Sequence, residues 1–159
     1  MSPTTETMKH FLQAEKFAVI GRTMNDRSRW DNKILRWYQD RQFPVIAVRP
    51  NKPSEEVEGI QLLTEINQIK DLSKTSISII INPVIGINIL KELYPIPSKG
   101  NGENEPRNIW FQPGADDSKI WEYVKQRQIE DKIIGKGECV YRDGDDILNQ
   151  IKRDDKSRL

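Results

Sequence analysis

Cysteine and histidine are nearly missing from this chain: 159 residues contain one of each. A lone cysteine excludes an intramolecular disulfide framework, and a lone histidine beside it leaves too few soft ligands for a structural zinc site. Charge of one sign is also missing, because 25 basic residues face 24 acidic ones and the net charge is +1. No bulk field therefore recruits nucleic acid or an anionic bilayer, and any anion site must be local. No apolar run approaches the roughly 20 residues needed to span a bilayer. Residues 1–16 carry acids and polar groups where a signal peptide needs an apolar centre. The expectation is a soluble, cytoplasmic protein with no nucleic-acid or membrane partner and an oligomeric state the sequence leaves open. At about 100–200 residues per domain, the length predicts one domain over residues 1–159 with its core over about 11–152.

Hydrophobic residues make up 36% of the chain and charged residues 31%, so a core requires the apolar residues to be concentrated. They are concentrated in Phe17 to Ile20, Val45 to Val48, Ile77 to Ile81 and Ile109 to Phe111, with Cys139-Val140-Tyr141 as a weaker fifth stretch. Each has strand length without strict alternation, as expected of strands covered on both faces. Between them, Lys33 to Gln42 carries an Ile34, Leu35, Trp37, Tyr38 stripe, and Ile85, Ile89, Leu90 and Leu93 repeat the spacing. Asp116 and Asp117 precede Ile120, Trp121 and Val124, which predicts a capped helix over about 117–128. Alternating strands and helices predict an α/β fold: a three-layer, doubly wound, mainly parallel five-stranded sheet. Residues 1–10, 95–107 and 153–159 read as irregular.

In open α/β sheets the ligand sits at the carboxyl ends of the strands. The first strand ends Ile20-Gly21-Arg22-Thr23, where a glycine allows close approach before a helix whose free N–H groups favour phosphate. The full Gly-x-Gly-x-x-Gly fingerprint is missing, so a glycine that merely fits a turn remains an alternative. The second strand ends Val48-Arg49-Pro50-Asn51-Lys52, cationic where a dinucleotide fold holds a ribose diol with a carboxylate. Arg49 and Lys52 suit a phosphorylated ribose, as in NADP or coenzyme A; the alternative is a pair of solvated surface cations. The third and fourth strands end in Asn82-Pro83 and Gln112-Pro113-Gly114, where proline holds the preceding backbone extended and sets an amide toward the crevice.

Four segments together resemble the small single-domain CoA-binding proteins, which are similar to the nucleotide-binding domain of the succinyl-CoA synthetase α subunit. They are Phe17 to Gly21, Val45 to Lys52 followed by Glu58-Gly59, Ile79 to Pro83, and Ile109 to Ala115 with its Trp-Phe-Gln-Pro-Gly run. The resemblance implies a Rossmann-like fold and a CoA site in which the loop after Gly21, with Arg22 and Thr23, holds the diphosphate. It implies that Val48, Arg49, Pro50 and Lys52 surround the adenosine and its 3′-phosphate, and that Asn82 and Pro83 border the adenine. Gln112 and Pro113 would then lie along the pantetheine path, and Cys139 would end the last strand. Arg22 and Arg49 depart from the family, which often has a small residue and an asparagine at these places, and the 95–107 loop is longer than usual.

A hydrolase or transferase needs a nucleophile beside a base, but His10 lies before the first strand. Asp116-Asp117 and Asp145-Asp146 read as helix-start carboxylates. Cys139 is either an inert core thiol or one that exchanges with the CoA thiol. The leading expectation is non-catalytic binding of CoA or acyl-CoA, as a sensor or carrier, with no metal. The alternatives are an NADP-binding oxidoreductase or NADP-responsive regulator, and an interaction module built on Trp30, Trp37, Trp110 and Trp121.

Overall fold

A computed structural model describes residues 3–98 and 104–157. The chain runs through α1 (Pro3–Leu12), β1 (Lys16–Gly21), α2 (Trp30–Asp40), β2 (Val45–Val48) and a hairpin of β3 (Glu56–Val57) and β4 (Ile60–Gln61). It continues through β5 (Thr75–Ile80), α3 (Pro83–Leu93), β6 (Asn108–Phe111), α4 (Ser118–Arg127), β7 (Ile133–Ile134) and α5 (Val140–Ser157). Five strands form one parallel sheet in the order β2-β1-β5-β6-β7. This is the Rossmann-like α/β architecture that the alternation of strands and helices predicts.

The two-residue period of each strand sorts its side chains between two cores. Ala18, Ile20, Ile77, Ile79, Ile109 and Phe111 face α3 and α4, where they meet Leu90, Leu93, Ile120 and Val124. Phe17, Val19, Trp110 and Ile134 face α1, α2 and α5, where they meet Phe11, Leu35, Tyr38 and Ile147. On that second face β5 carries Ser76 and Ser78, which have lost water and found partners inside. Ser76 donates to the Phe11 carbonyl at 2.7 Å, and Ser78 shares a 2.8 Å hydrogen bond with the Tyr38 hydroxyl. Burial pushes the Tyr38 phenol well above its usual range, so it stays neutral.

Three expectations need correction. Residues 3–12 are helical, because Met8, Phe11 and Leu12 form an apolar edge buried in the second core. The tail is helical through Ser157, with Ile147, Leu148 and Ile151 packed on the same core and Asp154 accepting from Lys9 Nζ at 2.8 Å. The fifth strand is Ile133–Ile134, paired with Ile109 and Trp110, and not residues 139–141. Two residues are too few to announce a strand, whereas Val140 gives its N–H to the Gln112 side chain at 3.0 Å and opens α5. In the long loop, residues 95–98 and 104–107 hold no α-helix or strand, and 99–103 lie outside the described residues. Both flanks are nevertheless tied down: Tyr94 donates to the Pro106 carbonyl at 2.6 Å, and Arg127 Nε donates to the Pro95 carbonyl at 3.0 Å.

Asp145, expected at a helix start, instead lies in the second turn of α5 and joins it to α2 through a bidentate pair with Arg41, at 2.6 and 2.7 Å. The guanidinium holds the Asp145 carboxyl below the usual carboxylate range. A folded pKa below the unfolded one contributes stability above the unfolded value, and that stability is lost as pH falls through the folded pKa. Melts taken from neutral pH into the acid range should therefore show a shallower acid loss for Asp145→Asn than for wild type. The difference should be small, because the carboxylate is largely exposed.

Candidate functional site

Numbering the parallel strands by chain order, the sheet reads 2-1-3-4-5, and the order reverses between β1 and β5. Crossovers leave in opposite directions there, which opens a crevice at the carboxyl edge. Gly21 ends β1 at this point. A Cβ on Gly21 would overlap Asp31 Oδ2 and sit 2.6 Å from the Asp31 Cβ, so the glycine exists to admit Asp31. Asp31 is buried in the first turn of α2 and accepts from the Thr23 N–H at 2.7 Å, from Thr23 Oγ1 at 2.8 Å and from the Asn32 N–H at 2.8 Å. The loop after β1 thus closes on an internal carboxylate. Thr23 is turned inward to it, while Arg22 stands exposed beside it.

The Glu58-Gly59 pair forms the turn of the β3–β4 hairpin, with φ of 50° and 82°. Two positive φ values suit the right-handed twist of a tight hairpin. The turn also places Glu58 Oε2 within 3.1 Å of both Asn32 Nδ2 and Arg27 Nε, so the hairpin braces the same loop and helix start.

The end of β2 departs from the open cationic rim that the sequence suggests. Val48 is fully buried against the α3 side. Arg49 is only 7% exposed; one of its terminal nitrogens donates to the Pro53 carbonyl at 2.7 Å and to Glu55 at 3.0 Å, and its Nε has no partner among the described residues. Its charge shapes the 49–55 turn. Lys52 remains exposed. Pro50 and Asn51, with Ile85 and Ile89 of α3 and the acids Glu65 and Glu92, line an open groove of about 520 Å³.

Asn82 caps α3: its side chain accepts from the Val84 N–H at 2.8 Å, and Pro83 occupies the first turn, where a missing N–H costs nothing. Gln112 is 1% exposed. Its Oε1 accepts from Val140, and its Nε2 has no partner among the described residues. Gln112 and Pro113 meet Trp30, Ile34, Ile80 and Cys139 around a cavity of about 240 Å³ on the other side of the switch point. Cys139 is buried and free. Trp30 is 53% exposed and stands edge-on to Tyr141, with ring centroids 5.4 Å apart.

The structure therefore gathers Gln112, Pro113 and Cys139, and separates them from Pro50 in the groove; Arg49 and Val48 belong to the interior. Sequence reading misses Asp31, places Trp30 only on an interaction surface, and includes Asn51 in the strand-end motif without a role. Asp31 carried a readable signal, an acid in the first turn of a helix, but the apolar stripe set the helix start at Lys33. Among the described residues no helix is long and apolar enough to cross a membrane, and no group of His, Cys, Asp or Glu could hold a metal.

No curated protein matches the chain. Cell-free ID.343 from Thermus thermophilus matches with a TM-score of 0.71 at 19% identity over 92% of this chain and 99% of its own. A hypothetical protein from Pyrococcus horikoshii OT3 matches with a TM-score of 0.69 at 16% identity over 91% and 92%. At such identities the likeness is one of fold. The family model described as a CoA binding domain matches residues 15–143, which takes in every strand and the braced loop after Gly21, and the chain belongs to that CoA binding domain family.

Proposed function

We propose that the protein binds coenzyme A or an acyl-CoA along the carboxyl edge of its sheet, without a catalytic step of its own. Family membership supports the ligand, and one observation carries the geometry: an open groove and a small apolar cavity flank the strand-order reversal. From β2 to β6 is three strand spacings, about 14 Å, a span suited to an extended molecule with chemically different ends.

Adenosine takes the groove, where Pro50, Ile85 and Ile89 offer apolar walls and Asn51 an amide. Lys52 supplies the charge for the 3′-phosphate, while Arg49 orders the turn that carries it. Arg22 and the Thr23 loop border the diphosphate, and Asn82 and Pro83, at the start of α3, border the adenine. Gln112 and Pro113 border the thiol end. Val48 acts only as the packed layer beneath. The non-catalytic reading is supported by His10, which donates from Nδ1 to Asn108 Oδ1 at 2.5 Å. Asn108 begins β6, so the one imidazole sits at the sheet edge opposite the crevice.

Thermal shift tests the reading. A ligand that binds only the folded state stabilises it by RT ln(1 + [L]/Kd), about 2.7 kcal/mol at a hundredfold excess over Kd. CoA should raise Tm, dephospho-CoA should raise it less, and Lys52→Ala should narrow that gap. Lys52 suits either phosphorylated ribose, so the smaller shift expected with NADP rests on family membership. A larger shift with NADP than with CoA would reverse the assignment.

A further inference from the structure

We infer that the cavity between β5, β6, α2 and α5 receives the acyl group of a short-chain acyl thioester, an inference that rests on the CoA-binding reading above. Five of its six lining residues are apolar or thiol: Trp30, Ile34, Ile80, Pro113 and Cys139. The sixth, Gln112, is a buried amide whose Oε1 is committed and whose Nε2 has no partner among the described residues. Val140 N–H fixes Oε1, so the side chain cannot rotate to satisfy Nε2 elsewhere without abandoning the first hydrogen bond of the α5 start. A buried donor without an acceptor is costly, and such groups are rare unless something else completes them. The acceptor that suits this place is a carbonyl oxygen attached to an apolar group, which describes a thioester with its alkyl chain.

Size sets the class. The cavity is about 240 Å³, or about eight water volumes, and below the roughly 300–1,000 Å³ of sites for drug-sized ligands. A chain of a few carbons fits; a long one does not. Trp30 borders the cavity while half its surface remains in solvent, so its ring is placed to cover a seated chain.

Titration calorimetry on the full chain with CoA, butyryl-CoA and dodecanoyl-CoA tests the inference. Butyryl-CoA is expected to bind at least about tenfold tighter than CoA, since a buried carbonyl bond and buried methylenes together exceed the 1.4 kcal/mol of one decade. Dodecanoyl-CoA is expected to gain nothing over butyryl-CoA. Gln112→Glu keeps an acceptor for Val140 but replaces the free donor with an acceptor, and the butyryl-to-CoA ratio should fall to near one. Gln112→Met tests the same ratio if the buried carboxylate prevents folding, and the wild-type series decides by itself if neither variant folds. CoA binding with no butyryl preference would overturn the acyl assignment and leave the CoA reading intact. Equal weakening of CoA and butyryl-CoA in the variants would also overturn it, moving the Gln112 donor to the pantetheine arm. Binding of none of the three would remove both readings.

Discussion

Gly21→Ala is expected to lower Tm by on the order of 6–12 °C and to abolish the CoA-induced shift. The added methyl group would meet Asp31 at its carboxylate and at its Cβ, and the second contact is the decisive one because it cannot be relieved by rotating the side chain. Either the start of α2 moves away from β1 or the buried carboxylate leaves its donors on Thr23 and Asn32. Overpacking of this kind costs roughly 3 kcal/mol, and a domain of this size loses about 2–4 °C per kcal/mol. Asp31→Ala should be destabilising by itself, since it strands the buried Asn32 N–H and the half-buried Thr23 N–H, but it removes the clash. The Gly21→Ala, Asp31→Ala double variant should therefore be more stable than the sum of the two singles predicts. Strict additivity in denaturant melts would show that the contact has no such role. The functional loss follows because Thr23 and Asp31 set the backbone path of the loop carrying Arg22 past the switch point.

Trp110→Ala should be the most damaging single change, about 3–5 kcal/mol by denaturant unfolding. Trp110 is fully buried at the centre of β6, meets Phe11 edge-on with centroids 5.3 Å apart, and joins α1 and α5 to the sheet. Its indole N–H also donates to the Glu138 carbonyl at 2.9 Å. Trp110→Phe separates these contributions. It keeps an aromatic ring against Phe11 but leaves that carbonyl without its donor, at about 1–3 kcal/mol. Glu138 precedes Cys139, a wall of the small cavity, so Trp110→Phe should also weaken ligand binding more than its modest stability loss suggests. Unchanged affinity in Trp110→Phe would show that the 137–139 segment is held by other contacts.

The helical ends illustrate what pattern reading overlooks. Met8, Phe11 and Leu12 have helical spacing, yet a short stripe among polar residues is easily taken for an irregular terminus, and only its burial under β1 and β6 gives it worth. The two residues of β7 carry no periodicity at all; they are a strand because Ile109 and Trp110 present a free edge beside them. Arg49 shows the same difference at the site. Its place after a strand suggests a phosphate fork, but its actual direction depends on Glu55 and Pro53, which the turn brings within reach.

By itself, the sequence determined the α/β class, four of the five strands of the parallel sheet, the capping role of Asp117, and the resemblance to CoA-binding proteins. These depend on local period and on residue types at strand ends, which are written along the chain. Tertiary structure alone decided that Asp31 closes the loop after Gly21, that Arg49 turns inward, and that Gln112 lines a cavity while its Nε2 has no partner among the described residues. Each of these depends on contacts between residues distant in the chain or on the direction of a side chain. Both are set by packing against neighbours that local spacing does not specify.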